Sequence, residues 1–126
     1  MKVSELMTKK VKTVDRQMSV TEALKIMEES NIRHLVVTRA GKPESIISDR
    51  DLLVVLSIPS DQENPITVGQ ISSKHPITLK LETDVKEAAQ FVLDKKVSAF
   101  PILDEKGNLA GIITTHDLIR LLLQKI

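Results

Sequence analysis

The chain carries an internal repeat, and this feature constrains its fold more than any other. Identical residues coincide when the sequence is shifted against itself by 65 residues, and the offset becomes 66 in the later part of each copy. A tandem repeat of this kind predicts two similar substructures in one chain. The coinciding pairs include Val3 with Val68, Thr13 with Thr78, Val20 with Val85, Glu22 with Glu87, Ala23 with Ala88, Gly41 with Gly107, Ile47 with Ile113, Asp51 with Asp117, Leu52 with Leu118 and Leu56 with Leu122.

The same order of elements is predicted for both copies. Ser19 and Asp84 each precede a glutamate by three residues, which is a helix-start signal, and apolar residues at helical spacing follow. After each helix, two short apolar runs flank a turn that contains Gly41 or Gly107. This arrangement predicts a β-hairpin in each copy.

A last helix is predicted to begin at Ser48 in the first copy and at Thr114 in the second. An aspartate follows three residues later in both cases, Asp51 or Asp117. A serine or threonine cap with an acidic residue in the first turn stabilises any helix by about 1 kcal/mol. Helix capping is therefore a sufficient explanation for this spacing when each copy is considered alone.

A polar segment that contains two prolines separates the copies. We expect a first motif over residues 1–56, a linker over 57–66 and a second motif over 67–126. Either motif alone would bury only a marginal core, because small domains bury a smaller share of their unfolded surface than large domains do. The sequence therefore predicts one pseudo-symmetric globule in which the two sheets pack against each other.

Composition excludes several classes of protein. The 18 basic and 17 acidic residues give a net charge of +1, without the basic excess of a dedicated nucleic-acid or membrane-surface binder. The absence of cysteine excludes disulfides, thiolate metal sites and cysteine nucleophiles. No apolar run reaches the roughly 18 residues of a membrane span, and the N-terminus lacks an apolar signal core. We expect a cytoplasmic protein that does not bind membranes.

The ordered pattern resembles a tandem pair of cystathionine-β-synthase (CBS) motifs, the regulatory unit called a Bateman module. No single segment is specific to this family. The order of the segments is specific, because it occurs twice. The resemblance rests on Val3-Ser-Glu-Leu-Met7, Ser19-Val-Thr-Glu-Ala-Leu24, Ile32-Arg-His-Leu35 and Ser48-Asp-Arg-Asp-Leu52 in the first copy, and on Thr67-Val-Gly-Gln-Ile71, Val97-Ser-Ala-Phe-Pro101 and Gly111-Ile-Ile-Thr-Thr-His-Asp-Leu118 in the second.

The resemblance implies an α/β (α+β) fold with one β-α-β-β-α unit in each copy. It also implies two clefts, each lined by both copies, that bind AMP, ADP, ATP or S-adenosylmethionine. One cleft would combine Ser48 and Asp51 with Thr78, Val97, Ser98, Ala99 and Pro101, with Ile46 as an apolar contact. The other would combine Thr114, His116 and Asp117 with Thr13, Ile32, Arg33 and His34, with Ile112 as the apolar contact.

Simple chemistry is consistent with these assignments. An ionised aspartate only accepts hydrogen bonds, so it suits both hydroxyls of a ribose, and the amides at a helix start suit a phosphate. Capping and ribose binding can coexist at one aspartate. Where the second copy has Ser98 and Ala99, the first has Arg33 and His34. These larger side chains either bind phosphate or fill the cleft.

Three classes of function remain after these observations. The leading prediction is a non-catalytic module that binds an adenosine nucleotide and signals to a separate regulated protein. The alternative is a homodimeric scaffold whose clefts bind nothing, because the apolar run 118–123 and Ile126 suggest a self-association surface. An enzyme is the weakest reading, since the chain has only four glycines and lacks a phosphate-binding glycine loop, a Ser-His-Asp arrangement and a metal cluster. We expect no cofactor beyond the nucleotide.

Overall fold

The structure is a computed structural model that describes residues 1–59, 65–72 and 76–126. In this part of the chain, each repeat follows the order β-α-β-β-α and has one short helix before it, which confirms the predicted mixed α/β fold. The elements are α1 (Val3–Leu6), β1 (Thr13–Asp15), α2 (Val20–Ser30), β2 (His34–Arg39), β3 (Lys42–Ser48), α3 (Asp49–Leu56), α4 (Val68–Ile71), β4 (Leu79–Lys80), α5 (Val85–Lys95), β5 (Ala99–Leu103), β6 (Leu109–Thr114) and α6 (Thr115–Lys125).

Each repeat forms its own three-stranded sheet, with the first strand of the hairpin in the centre. Strand β2 pairs parallel with β1 and antiparallel with β3, and β5 pairs in the same way with β4 and β6. Both hairpins contain a register shift, between Val37 and Thr38 and between Ile102 and Leu103. These shifts occur at corresponding repeat positions, so the similarity extends to the irregularities of the sheets.

The first long helix of each repeat begins at the predicted cap. The Ser19 hydroxyl oxygen accepts a hydrogen bond of 3.2 Å from the Glu22 N–H, and the Asp84 carboxylate accepts one of 2.8 Å from the Lys86 N–H. Such bonds satisfy amides that have no partner inside the helix. Both helices end at a residue with left-handed backbone, at matching positions of the repeat.

The two repeats have separate aliphatic cores. In each, alternate strand residues point toward the helices, as the two-residue period of a strand requires. Phe100 is buried in the second core, and Phe91 packs against it with a distance of 6.3 Å between the ring centroids. The buried core residues are Val14, Val20, Ala23, Met27, Leu35, Val37, Ile47, Leu52 and Val68 in the first cluster and Val3, Leu79, Val85, Ala88, Phe100, Ile102 and Ile113 in the second.

The start of the chain packs with the second repeat. The chain forms two compact units, and one of them joins Met1–Val11 to Pro76–Ile126. Val3 is fully buried in this unit, and its N–H donates a hydrogen bond of 2.8 Å to the Thr83 carbonyl oxygen. Thr8 forms an antiparallel bridge with Ile112. The neighbouring Gly111 leaves room for this segment, because a Cβ there would lie 2.8 Å from the Thr8 carbonyl oxygen.

The segment that precedes the second repeat packs with the first in the same way. Val68, the repeat equivalent of Val3, is fully buried in the core of the unit Lys12–His75, and its N–H donates to the Met18 carbonyl oxygen at 2.9 Å. Each leading segment therefore belongs to the compact unit of the other repeat. The predicted boundaries, which follow the sequence repeat, stay a prediction, and residues 60–64 of the predicted linker lie outside the described residues. Among the described helices, none has the length and apolar character to cross a bilayer.

Candidate functional site

Helix α3 begins with a reciprocal pair of hydrogen bonds between Ser48 and Asp51. The Ser48 hydroxyl oxygen accepts from the Asp51 N–H at 3.2 Å, and the Asp51 Oδ2 accepts from the Ser48 N–H at 2.9 Å. This is a capping box, which satisfies two amides at once. The capping role considered from the sequence is therefore confirmed. The Asp51 side chain remains exposed.

Helix α6 begins with the equivalent pair, Thr114 and Asp117, and adds one bond. The Asp117 Oδ2 accepts from the Thr114 N–H at 2.8 Å and from the Thr114 hydroxyl at 3.2 Å. Asp117 is only 6% exposed, so water competes less for the hydrogen bonds of its carboxylate than for those of the exposed Asp51. Its environment is favourable for a negative charge, because the partial positive end of a helix dipole lies beside it.

Both aspartates keep one carboxylate oxygen available. All the cap bonds of Asp51 and Asp117 go to Oδ2, and in the described part of the chain Oδ1 has no hydrogen-bond partner. A carboxylate oxygen offers two lone pairs, so Oδ1 is able to accept a bond from a hydroxyl of a ligand. Capping therefore does not prevent these side chains from binding a ribose.

The segment before each central strand is tied to the start of the last helix in the same unit. The Ser98 carbonyl oxygen accepts two bonds from Thr115, at 2.9 Å from its N–H and 3.1 Å from its hydroxyl. The Arg33 carbonyl oxygen accepts from the Asp49 N–H at 2.9 Å. Since both lone pairs of the Ser98 carbonyl oxygen are used, an adenine ring would have to be recognised by other groups.

Several predicted residues lie together on the sheet face opposite the core. In the second repeat, Ala99 pairs with Thr114, and Pro101 pairs with Ile112. These four alternate along their strands with Phe100 and Ile113, which point into the core. In the first repeat, the corresponding pairs are His34 with Ser48 and Val36 with Ile46. Each repeat thus presents its predicted apolar contact beside its predicted aspartate helix.

The remaining predicted residues differ in how available they are to a ligand. The side chains of Ile32 and Val97 are half-buried and pack against the first and second core respectively, which leaves only part of each side chain accessible to a ligand. Thr13, Thr78, Arg33 and His116 are exposed.

His75, a histidine of the second repeat, lies outside the described residues. In the regions that the structure describes, no cluster of three or more histidine, aspartate or glutamate residues is arranged to hold a metal ion. The grouping of residues from both repeats into shared clefts stays a prediction.

The profile of the CBS domain matches this chain twice, over residues 3–58 and 68–124. The chain belongs to the CBS domain family. A CBS domain-containing protein of Dictyostelium discoideum is 32% identical over 132 residues, which cover 97% of this chain and 91% of that protein. Other curated relatives are longer, and this chain spans 24%, 45% and 52% of the length of three of them.

Solved structures of CBS domain pairs have the same fold. The CBS pair of protein MJ0100, in complex with 5′-methylthioadenosine and S-adenosyl-L-methionine, superposes with a TM-score of 0.88 at 28% identity and covers 100% of this chain and 98% of its own. CBSX2 from Arabidopsis thaliana, in complex with AMP, gives a TM-score of 0.82 at 26% identity, with 98% and 97% covered. These two relatives bind adenosine compounds.

Sequence reasoning missed one feature of this CBS pair, a groove beside α3. It is lined by Arg33, Asp49, Arg50, Leu53, Val54 and Ser57. Of these residues, only Arg33 had been predicted to bind anything. The available signal was the unbroken apolar run 52–56, because a helix with apolar residues on every side exposes some of them unless it is covered all round.

Proposed function

We propose that the chain is a non-catalytic regulatory module that binds an adenosine nucleotide and signals to a separate protein in the cytoplasm. The observation that carries the proposal is the paired geometry of Ser48 with Asp51 and of Thr114 with Asp117. Both aspartates lie at a helix start, and both keep Oδ1 free of hydrogen bonds to the described residues. AMP, ADP, ATP and S-adenosylmethionine share the ribose that such an oxygen would bind.

The proposed roles divide between side chain and backbone. Oδ1 of Asp51 or Asp117 accepts the hydroxyls of the ribose. The amides of the first turn of α3 or α6, together with the helix dipole, attract the phosphate. Ile46 or Ile112 contacts the adenine on the sheet face. The AMP of one structural relative and the S-adenosylmethionine of the other support an adenosine compound as the ligand class.

Signalling requires that the nucleotide and the regulated protein prefer the same state of the module. A partner that binds the nucleotide-loaded form more tightly must raise nucleotide affinity by the same factor. We propose further that the module acts as a homodimer through α6. Ile119, Leu122 and Leu123 are 53%, 57% and 69% exposed, an apolar surface that a second copy would cover.

Calorimetric titration of the nucleotide-free chain with AMP and with S-adenosylmethionine tests the nucleotide proposal. We expect saturable heat for at least one ligand. Loss of a hydrogen bond to a charged group costs about 1.5–3 kcal/mol, so Asp51→Ala or Asp117→Ala should weaken binding by about tenfold to a hundredfold. The matched control is Asp84→Ala, which removes the cap of α5 without touching either proposed site. Its affinity should match that of the unmodified chain.

The exposed face of α6 also favours the second candidate, a homodimeric scaffold without ligand. The two candidates differ in the titration. No heat from either ligand, with a dimer confirmed by sedimentation, would contradict nucleotide binding and leave the scaffold. Equal losses of nucleotide affinity in Asp84→Ala and Asp117→Ala would show that the substitutions act through helix stability rather than through ribose binding.

A further inference from the structure

Thr8 extends the sheet of the second repeat beside the edge strand β6. Its N–H donates to the Ile112 carbonyl oxygen at 2.9 Å, and its carbonyl oxygen accepts from the Ile112 N–H at 3.0 Å. Two residues that exchange both backbone bonds lie directly opposite each other, and their side chains are on the same face of the sheet. Because the adjacent Ile113 points into the core, Thr8 and Ile112 both point away from it. Thr8 therefore lies beside the proposed apolar contact of the adenine.

Thr8 is the accessible member of this row of side chains. Pro101, which pairs with Ile112 on its other side, is fully buried, and Ile112 is 8% exposed. Thr8 is exposed, and in the part of the chain that the structure describes its hydroxyl has no hydrogen-bond partner. A hydroxyl is both a donor and an acceptor, so that of Thr8 is free to bind a polar group of a ligand.

The aspartate of the same unit is placed for the other end of a nucleoside. Thr114 follows Ile112 by two residues on β6 and is therefore diagonal to Thr8, and the Cα atoms of such neighbours lie about 7–8 Å apart. The Thr114 N–H and hydroxyl hold Asp117 through its Oδ2, at 2.8 Å and 3.2 Å. A nucleoside whose ribose binds Asp117 would thus place its base over Ile112 and toward Thr8.

The amine of an adenine base needs an acceptor, because a polar group left without a partner in a binding site costs free energy. The Ser98 carbonyl oxygen does not serve, since Thr115 occupies it with bonds of 2.9 Å and 3.1 Å. We propose that the Thr8 hydroxyl oxygen accepts a hydrogen bond from the 6-amino group and makes this site selective for 6-aminopurine nucleotides. The inference rests on the proposed function, because it takes an adenosine compound to bind at Asp117.

The test measures ligand affinity from the amide NMR shifts of residues 114–117, so that only the site at α6 is observed. The probes are AMP and S-adenosylmethionine, each beside an analogue with hydrogen in place of the 6-amino group. Thr8→Val should weaken the amine-bearing ligand by about threefold to tenfold, the range for one neutral hydrogen bond, and leave the affinity of the analogue unchanged. Valine suits a strand, so the bridge to Ile112 is retained. The matched control Thr8→Ser keeps the hydroxyl and should keep the affinity.

The inference is overturned if a ligand binds at residues 114–117 and Thr8→Val retains its affinity. Equal weakening of the ligand and its analogue, or equal losses in Thr8→Val and Thr8→Ser, would also overturn it, because Thr8 would then act through packing. Saturable shifts at residues 48–51 alone would overturn it and leave the proposed function in place. Failure of the proposed function looks different, because neither ligand then shifts any amide of the unmodified chain, and the inference falls with it.

Discussion

Replacing Val3 with alanine should destabilise the second repeat, although Val3 lies at the start of the first. Val3 is fully buried in the cluster that contains Phe100 and Ile113. The substitution removes two buried carbon groups, worth about 0.8 kcal/mol each, and leaves a cavity that adds to the loss. We expect the free energy of unfolding of that unit to fall by about 2 kcal/mol, roughly a thirtyfold increase in the opening equilibrium.

Native-state hydrogen exchange measures this effect residue by residue. The amides of β5 and β6 should lose protection in Val3→Ala, while those of β2 and β3 should change less. The matched variant Val68→Ala should show the reverse, because Val68 is buried in the first core. Val54→Ala, at a 58% exposed position, is the neutral control. Unchanged protection in Val3→Ala, or loss of protection confined to β2 and β3, would refute the packing of each leading segment in the unit of the other repeat.

Two more predictions concern one position of the repeat. Gly111→Ala places a Cβ 2.8 Å from the Thr8 carbonyl oxygen, so the free energy of unfolding should fall by about 2 kcal/mol in urea titrations followed by circular dichroism. A loss below about 0.5 kcal/mol would show that Thr8 does not pack there in solution. Ser45, its equivalent, is 1% exposed, and its hydroxyl has no partner among the described residues. Ser45→Ala should raise the free energy of unfolding by about 1 kcal/mol, whereas a decrease would reveal a hydrogen bond.

Most of the fold follows from local signals in the sequence. The helix starts at Ser19, Ser48, Asp84 and Thr114 were all predicted from side-chain capping and are all confirmed. The hairpins follow from apolar runs around glycine turns. The β-α-β-β-α order itself came from the resemblance, which the CBS profile confirms.

Long-range packing was not predictable from these signals. Periodicity does not show that Val3 enters the core of the second repeat, because the helix α1 is only one turn long and lacks an amphipathic pattern. The two hydrogen bonds to the Ser98 carbonyl oxygen depend on tertiary contact with Thr115 and have no sequence signature. The exposure of Leu53 and Val54 likewise depends on which side of α3 is covered.

Amide NMR spectra of the isotope-labelled chain, titrated with AMP and separately with S-adenosylmethionine, test the central claim most directly. Binding at the aspartate caps predicts saturable shifts of the amides at the starts of α3 or α6, in residues 48–51 or 114–117. In the same titration, the Asp117→Ala variant should lose the shifts at the start of α6. The amides of α5, which lies outside both proposed sites, should not shift in either protein. Saturable shifts that avoid both helix starts, or no shifts with either ligand, would contradict the account of this chain as a nucleotide-binding regulatory module.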